Sequence, residues 1–375
     1  MSDRLLLEAR DDSIAVERMA AAELTANRDG YLRPNWAAAR MVDDYAVFAD
    51  QGISDRSAYE NLRRVFCETR GHAHEVFSQV LSTTLGHSTI KPAATMFNVA
   101  GEEWDARIAR GVEALERDGV WVLPNRAPGP LVAGLREKIL IGMKRTHGAE
   151  TMRAAYRSDP GAEPQLKSKS EWLSAVDELY ALAADPLLRA VAQGYLGVAP
   201  IFNTPVAFLN SASKLSERKQ LAPLAQLYHH DMERLRFLKL FIYLTDVDEE
   251  AGPHAVLTGT HRHRPDALWR DGRIDDAEIE ASGLKDREVK VLGKPGTVFL
   301  VDTSALHKGC HPIAKSRLMA QVQYVNSLFG KPYSSLDRKI TAVGAGSLDA
   351  DTRRAAGLVR RYADEAGVRF MQNFI

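Results

Sequence analysis

The feature that most restricts the fold of this chain is a nearly continuous apolar run over residues 237–245, which predicts a long apolar strand. Further short strands are predicted over residues 201–209, 224–231, 254–257, 288–292, 297–301 and 318–325. Turn signals separate these strands, among them Gly252-Pro253 and Pro295-Gly296. Many short strands, with no regular alternation of strand and helix, favour a β-sandwich or barrel over a doubly wound sheet.

Helical patterns occupy much of the remaining chain. Predicted helices cover residues 15–26, 58–81, 104–118, 130–144, 171–183 and 353–374, and another begins at Asp185-Pro186 and ends at Gly197. Residues 120–123 predict a short strand, 157–170 an exposed loop or lid, and 262–285 a polar insertion. These patterns predict a helical N-terminal region over residues 1–102, a mainly β domain over 103–335 and a C-terminal helical extension over 336–375.

The bulk composition limits the kind of partner. The 49 basic residues balance the 49 acidic ones, so no overall charge favours nucleic acid or a membrane surface. Cys67 and Cys310 are too few for a disulfide framework, no apolar run approaches the roughly 20 residues that span a bilayer, and the N-terminus lacks a signal-peptide core. We therefore predict a cytoplasmic protein with no nucleic-acid or membrane partner. The C-terminal helix is a candidate contact for a homo-oligomer.

The tripeptide His229-His230-Asp231 carries the first chemical signal. On a strand, residues two apart share a face, so His229 and Asp231 would converge while His230 points away. One imidazole and one carboxylate on one face make two-thirds of the facial triad that binds non-haem Fe(II) and leaves positions open for other ligands. The spacing therefore predicts an iron site that needs one more histidine from elsewhere in the chain.

His307, which follows a predicted strand, is the best candidate for the third ligand. It lies 76 residues after Asp231 (307 − 231), a gap that the strand return of a jelly roll can span. His311 competes with it but precedes Pro312 in a predicted turn. His230 and the Cys310 thiolate are weaker alternatives, because the first requires Asp231 to point away and the second is more simply explained as a partly buried thiol. His72, His74 and His87 have no partners at metal-ligand spacing and are predicted to serve packing or the surface.

Arg317 stands ten positions after His307 (317 − 307), on the last predicted strand of the β region. A guanidinium fork at that place could hold a dicarboxylate through two parallel hydrogen bonds. Together with the three ligands it makes a complete site for iron and a dicarboxylate co-substrate.

The segments around these residues resemble the phytanoyl-CoA dioxygenase family. In that family an H-x-D strand is followed by an apolar strand and a G-P…G-[ST]-H-R segment, and here residues 252–262 read GPHAVLTGTHR. Residues 296–302, followed by His307 and Arg317, resemble the distal histidine and the 2-oxoglutarate-binding arginine of the family. Residues 113–124 and 185–197 resemble its first helix and strand and its mid-domain helix, so the similarity covers about residues 103–330.

This resemblance implies an α+β fold that is mainly β, a double-stranded β-helix (jelly roll, cupin-like) with flanking helices and a helical N-terminal extension. It implies Fe(II), 2-oxoglutarate and O₂ as cofactor and co-substrates, with succinate and CO₂ as products. The presence of Asp231 favours hydroxylation, because halogenating relatives have a small residue in place of the carboxylate. Where the family often has a small hydroxyl residue two after the distal histidine, this chain has Gly309, and Lys239 is a candidate substitute for that carboxylate contact.

Several further residues are candidates for the pocket. Gln226 is predicted to help bind the co-substrate, and Asn203, His261, Arg262 and Tyr324 are predicted to contact substrate, although strand residues of these types more often serve the sheet itself. Two other functions stay open from the residues. One is a cupin-type isomerase or ring-cleaving dioxygenase that uses no ketoacid, and Arg317 argues against it. The other is a non-catalytic binding protein that keeps the barrel and uses the helical N-terminus as its working surface.

Overall fold

The computed structural model describes residues 36–51, 54–85, 89–99, 103–168, 173, 176–212 and 218–332. The helices predicted over residues 15–26 and 353–374 lie outside this part of the chain, as does His87. The described helices are α1 Trp36–Gln51, α2 Arg56–Glu68, α3 His72–Leu85, α4 Trp104–Asp118, α5 Gly129–His147, α6 Ala149–Arg157, α7 Asp177–Ala183, α8 Pro186–Leu196, α9 Arg218–Leu221 and α10 Asp276–Ala281. None of them combines the length and apolar character that a bilayer-spanning helix needs.

Local sequence signals set several helix ends. The α4 helix ends at Gly119, whose φ of 76° is left-handed and whose N–H donates to the Leu115 carbonyl. The α8 helix is capped at its N-terminus by Asp185, whose carboxylate accepts from the first-turn amides. Both helices have the predicted bounds. The single helix predicted over residues 58–81 is wrong, because α2 and α3 are separated at Gly71, which has a φ of +79°.

The strands form two antiparallel sheets. They are β1 Val120–Val122, β2 Gln165–Lys167, β3 Ile201–Asn210, β4 Phe237–Tyr243, β5 His254–Leu257, β6 Glu288–Val291, β7 Val298–Val301, β8 His307–Gly309 and β9 Arg317–Val325. The large sheet has the order β1-β7-β4-β9-β3-β2 and the small sheet the order β6-β5-β8. This confirms a mixed helix-and-sheet fold with antiparallel strands. The strand β2, however, occupies part of the region that was predicted to be a loop or lid.

The two faces of the large sheet pack into different hydrophobic cores. On β4, Leu238, Leu240 and Ile242 pack into the main hydrophobic core, which also contains side chains from the N-terminal helices such as Phe77. The alternate residue Phe241 packs on the opposite face, in a smaller core shared with the small sheet. We call that face the inner face, and it is the one that carries the candidate site. The domain boundaries predicted after residues 102 and 335 stay predictions.

Candidate active site

The first two candidate ligands lie on an irregular segment. A regular strand over residues 224–231 is wrong, since a 3₁₀ turn, Ala222–Leu224, leads into Ala225, which has a left-handed φ of 57°. After it, His229 and His307 form an isolated antiparallel bridge with backbone hydrogen bonds of 3.1 and 2.9 Å. The Asp231 amide donates to the Thr303 carbonyl at 2.7 Å. These bonds hold the segment directly against the stretch that carries His307.

The three candidate ligands converge on one point. Asp231 Oδ1 lies 3.8 Å from His229 Nε2, and Asp231 Oδ2 lies 3.4 Å from His307 Nε2. All three ligand atoms lie within 4.8 Å of one another. Both imidazoles are buried, with their ring centroids 4.3 Å apart. We call His229, Asp231 and His307 the inner cluster.

Each histidine of the inner cluster is oriented by the backbone. Nδ1 of His229 lies 2.9 Å from the Leu227 carbonyl, and Nδ1 of His307 lies 2.9 Å from the Ala305 carbonyl. A carbonyl can only accept, so each Nδ1 carries the proton and each Nε2 keeps its lone pair for a cation. Burial, and then the nearby His307 ring, lower the pKa of His229 well below its usual value, which keeps this imidazole neutral. The donor set therefore fits a metal ion.

Asp231 is kept ionised by a buried lysine. Burial raises the pKa of its carboxyl, but the charge of Lys239 outweighs burial and holds the pKa well below its usual range. Lys239 Nζ donates to Asp231 Oδ2 at 2.6 Å and lies 3.5 Å from Glu233. The ammonium predicted to contact a co-substrate thus already has two carboxylate partners.

Arg317 lies on the inner face at the start of β9 and is 4% exposed. Its Nη2 donates to Asn210 Oδ1 at 3.3 Å, whereas its Nε and Nη1 are buried without a partner among the described residues. A Cβ on Gly309 would stand 2.9 Å from Nη2, so the bare backbone there makes room for the guanidinium. A buried cation with unused donors is costly unless an anion binds to it, and a dicarboxylate fits this position.

Gln226 stands at the edge of the same region. The carbonyl of its neighbour Ala225 accepts from the Gly309 amide at 3.0 Å. Gln226 Oε1 lies 2.9 Å from His311 Nδ1, and its Nε2 is buried without a partner in the described part of the chain. His311 is therefore engaged with an amide and is absent from the group of three that could hold a metal.

Three of the four predicted substrate residues, His261, Arg262 and Tyr324, contact other parts of the protein. His261 Nε2 donates to the Glu116 carbonyl at 3.2 Å, and Arg262 forms an ion pair with the Glu116 carboxylate, so both are bound to α4. Tyr324 faces the helices, where its hydroxyl donates to the Ala183 carbonyl at 2.7 Å. Asn203 lies in β3 opposite Gln323, and its side chain is outside the described part. His261, Arg262 and Tyr324 therefore hold the scaffold together.

His254 is a site residue that sequence reasoning missed. Its ring lies on the inner side of β5, with centroids 5.4 Å from His307 and 4.8 Å from Phe241. It is 5% exposed, and its Nε2 has no partner among the residues that the structure describes. The signal was a single histidine in an otherwise apolar strand, directly after Gly252-Pro253.

His230 belongs to a second group on the other side of the segment. Its Nε2 lies 3.9 Å from Cys67 Sγ and 3.7 Å from Asp271 Oδ1, and these ligand atoms also lie within 4.8 Å of one another. Asp271, however, accepts two hydrogen bonds from Arg63, at 2.6 and 2.9 Å. We call Cys67, His230 and Asp271 the outer cluster.

The family model for phytanoyl-CoA dioxygenase (PhyH) matches residues 115–311, which is more than half of the chain. Among curated proteins, none matches. Solved structures that are similar include EvdMO1, at 18% identity and a TM-score of 0.43, with 58% of this chain and 50% of that chain covered. The chain thus spans about half the length of EvdMO1.

Two more of the similar structures come from named organisms. EctD from S. alaskensis, with 2-oxoglutarate and 5-hydroxyectoine, is 22% identical with a TM-score of 0.42, and the match covers 63% of this chain and 79% of EctD. HygX from Streptomyces hygroscopicus, with nickel and 2-oxoglutarate bound, is 15% identical with a TM-score of 0.43, and the match covers 59% and 88% of the two chains.

Proposed function

This chain belongs to the phytanoyl-CoA dioxygenase (PhyH) family of Fe(II)- and 2-oxoglutarate-dependent oxygenases, and from that premise we propose that it hydroxylates a C–H bond of a small organic molecule. When bound, the iron and ketoacid supply the oxidising chemistry, with succinate and CO₂ as products. The observation that supports the proposal most directly is the convergence of the two Nε2 atoms and the Asp231 carboxylate within 4.8 Å.

In this proposal His229, Asp231 and His307 hold Fe(II). The carbonyls of Leu227 and Ala305 fix the proton of each imidazole on Nδ1, so that both Nε2 atoms are ready to bind before the metal arrives. Since Asp231 supplies a carboxylate ligand, it fills the position that a halide would need, which favours hydroxylation over halogenation.

The co-substrate is assigned to the neighbouring pocket. Arg317 would grip the distal carboxylate of 2-oxoglutarate with its unused Nε and Nη1 donors. Gln226, whose Nε2 is also without a described partner, would stand beside it. Lys239 would act on the co-substrate only indirectly, because it is bound to Asp231 and Glu233.

The finer architecture belongs to the same proposal. The two antiparallel sheets meet through their inner faces, where His254 of the small sheet contacts Phe241 and Phe299 of the large one. This supports a double-stranded β-helix, in which iron sites lie between the sheets. The cytoplasmic location and the homo-oligomer stay predictions from sequence.

Anaerobic addition of Fe(II) and then 2-oxoglutarate tests the site. We expect a weak visible charge-transfer band in the wild type and none in an Asp231→Ala, His307→Ala double variant. A His147→Ala variant, which alters a histidine bound to the Lys167 carbonyl and far from the inner cluster in sequence, should keep the band. An equally strong band in the double variant would remove the metal assignment.

The reaction itself requires an isotope experiment. In a screen of small molecules for 2-oxoglutarate-dependent succinate release under ¹⁸O₂, we expect a product that carries one ¹⁸O atom. A product without ¹⁸O, for example an epimer or a desaturated compound, would retain the oxygenase family and refute hydroxylation. O₂ consumption that does not need the ketoacid would instead favour another class of metal enzyme.

A further inference from the structure

Gly309 leaves a space without a side chain beside the guanidinium of Arg317, in the proposed co-substrate pocket. A residue with a side chain there would approach Arg317 Nη2, at 2.9 Å for the first carbon. Gly309 offers no side chain, so the carboxylate gripped by Arg317 loses one possible hydrogen-bond donor. Lys239 does not fill the gap, because its ammonium is committed to Asp231 at 2.6 Å and Glu233 at 3.5 Å.

His254 stands directly across from this gap. In the β5–β8 pair, His254 is the register partner of Gly309. Opposite residues of an antiparallel pair project to the same face with Cβ atoms about 5 Å apart. Since Gly309 has no side chain, the imidazole of His254 adjoins the space between Gly309 and Arg317.

Neighbouring rings fix the imidazole of His254, yet its Nε2 atom has no hydrogen-bond partner among the described residues. The ring stacks near His307 at 29° and packs against Phe241 and Phe299. Its backbone N–H donates to Tyr243 Oη at 3.0 Å, which anchors β5 to the large sheet. His254 Nε2 is buried, and no atom of the described residues satisfies it. A buried nitrogen of this kind leaves one hydrogen bond for a ligand atom or a water molecule to make.

We propose, on the basis of the function proposed above, that His254 donates a hydrogen bond from Nε2–H to the distal carboxylate of 2-oxoglutarate. The donor that the strand β8 lacks at Gly309 is thereby supplied from the neighbouring strand β5. Arg317 and His254 then hold the carboxylate from two sides. Because His254 also packs on His307, the same ring connects the co-substrate pocket with the inner cluster.

The test compares two ketoacids that differ only at the distal end. 2-Oxoglutarate and 2-oxovalerate share the group that chelates iron, but 2-oxovalerate lacks the distal carboxylate. Dissociation constants for both are measured anaerobically with Fe(II), from the charge-transfer band. In His254→Phe, which keeps a ring but no donor, we expect 2-oxoglutarate to bind about tenfold to hundredfold more weakly. Binding of 2-oxovalerate should change by less than about threefold.

Three companion variants separate a lost donor from a disturbed fold. His254→Gln keeps a donor near the place of Nε2 and should restore 2-oxoglutarate binding to within about fivefold of the wild type. His254→Leu carries the same test should the phenyl ring prove too large to fold. His74→Phe makes the same change at another buried histidine, one in α3, and should leave both ketoacid affinities unchanged. Fe(II) affinity without ketoacid, measured in every variant, should stay that of the wild type.

The outcomes distinguish this inference from the function on which it rests. Equal losses for both ketoacids, or no loss for 2-oxoglutarate, would refute the role of His254 and leave the oxygenase intact. A His254→Gln protein as weak as His254→Phe would also count against a donor. Failure of the wild type to bind 2-oxoglutarate would overturn the proposed function, and this inference with it.

Discussion

Consecutive residues of this chain supply two groups of possible metal ligands that look alike by distance alone. The inner cluster takes His229 and Asp231, the outer cluster takes His230, and each places three ligand atoms within 4.8 Å. In the inner cluster both histidines are oriented by carbonyls. In the outer cluster Asp271 is held by two bonds from Arg63.

The surroundings of the outer cluster also oppose a cation. Burial raises the pKa of the Cys67 thiol, so that it stays protonated and is a poor ligand. Burial, followed by the charge of nearby Arg264, lowers the pKa of His230 to about 3, and this positive charge would also repel a metal cation beside the ring. His230 packs against Phe66 with ring centroids 5.2 Å apart. Proximity of ligand atoms is thus insufficient, and the orientation and charge of the neighbours favour the inner cluster as the proposed iron site.

The largest expected difference is in metal binding. His229→Ala should weaken Fe(II) binding by more than about a hundredfold, because losing a ligand costs more than losing an outer-shell partner. His230→Ala, the adjacent substitution, should keep about one iron per chain. Anaerobic titration and metal analysis of both proteins measure this. Iron lost equally from the two variants would break the distinction between the clusters.

The second difference concerns the basic residues that pair with Asp231 in the inner cluster and Asp271 in the outer cluster. Lys239→Met leaves the partly buried Asp231 without its ammonium partner, whereas Glu233 keeps Lys331 at 3.0 Å. The substitution should lower the free energy of unfolding by about 3 kcal/mol. Arg63→Met removes the partner of Asp271, which is 47% exposed, and should cost about 1 kcal/mol or less. Urea unfolding of the metal-free proteins compares them. Similar losses for both variants would mean that burial does not separate the clusters.

A third prediction compares two buried arginines. Arg317→Met should weaken binding of 2-oxoglutarate by about a hundredfold, because it removes a charge-assisted grip. Arg264, near the outer cluster, also has buried nitrogens without a partner in the described part of the chain, but it stacks on Trp269 at 3.9 Å. Arg264→Met should leave 2-oxoglutarate affinity within about threefold. Anaerobic titration gives both dissociation constants. A larger loss of affinity in Arg264→Met than in Arg317→Met would place the co-substrate near Arg264 instead.

The smallest expected effect tests whether water is excluded from His74, which packs beside the outer cluster. His74 packs against the same Phe66 ring as His230, and burial lowers its pKa to about 3 from 6.5. Between these pH values the unfolded chain binds a proton that the folded chain excludes, so stability falls as pH falls. His74→Phe should remove about 2 kcal/mol of the wild-type loss between pH 7 and pH 5. Urea unfolding at both pH values measures it, and an unchanged pH dependence would show that water reaches His74.

Much of the fold was accessible from the sequence because its signals are local. Asp185 and Gly197 bound α8, Gly119 ends α4, and the nearly continuous apolar run over residues 237–245 gives a buried central strand. The segment before His229 was harder. Tyr228 and His229 form isolated β-bridges with Ile274 and His307. No sequence pattern within the segment predicts bridges to residues that far along the chain.

The sequence by itself identified the candidate groups: two histidines and a carboxylate of the kinds that bind iron, an arginine on the last strand, and a glycine where the resembled family often has a hydroxyl residue. Only the tertiary structure decided how these groups are used. It pairs Lys239 with Asp231, and it binds His261 and Arg262 to α4. It also places His254 opposite Gly309 in the small sheet. The physical reason is that ligand identity is a property of a residue. Burial and charge pairing depend on side chains that meet only after distant strands have come together.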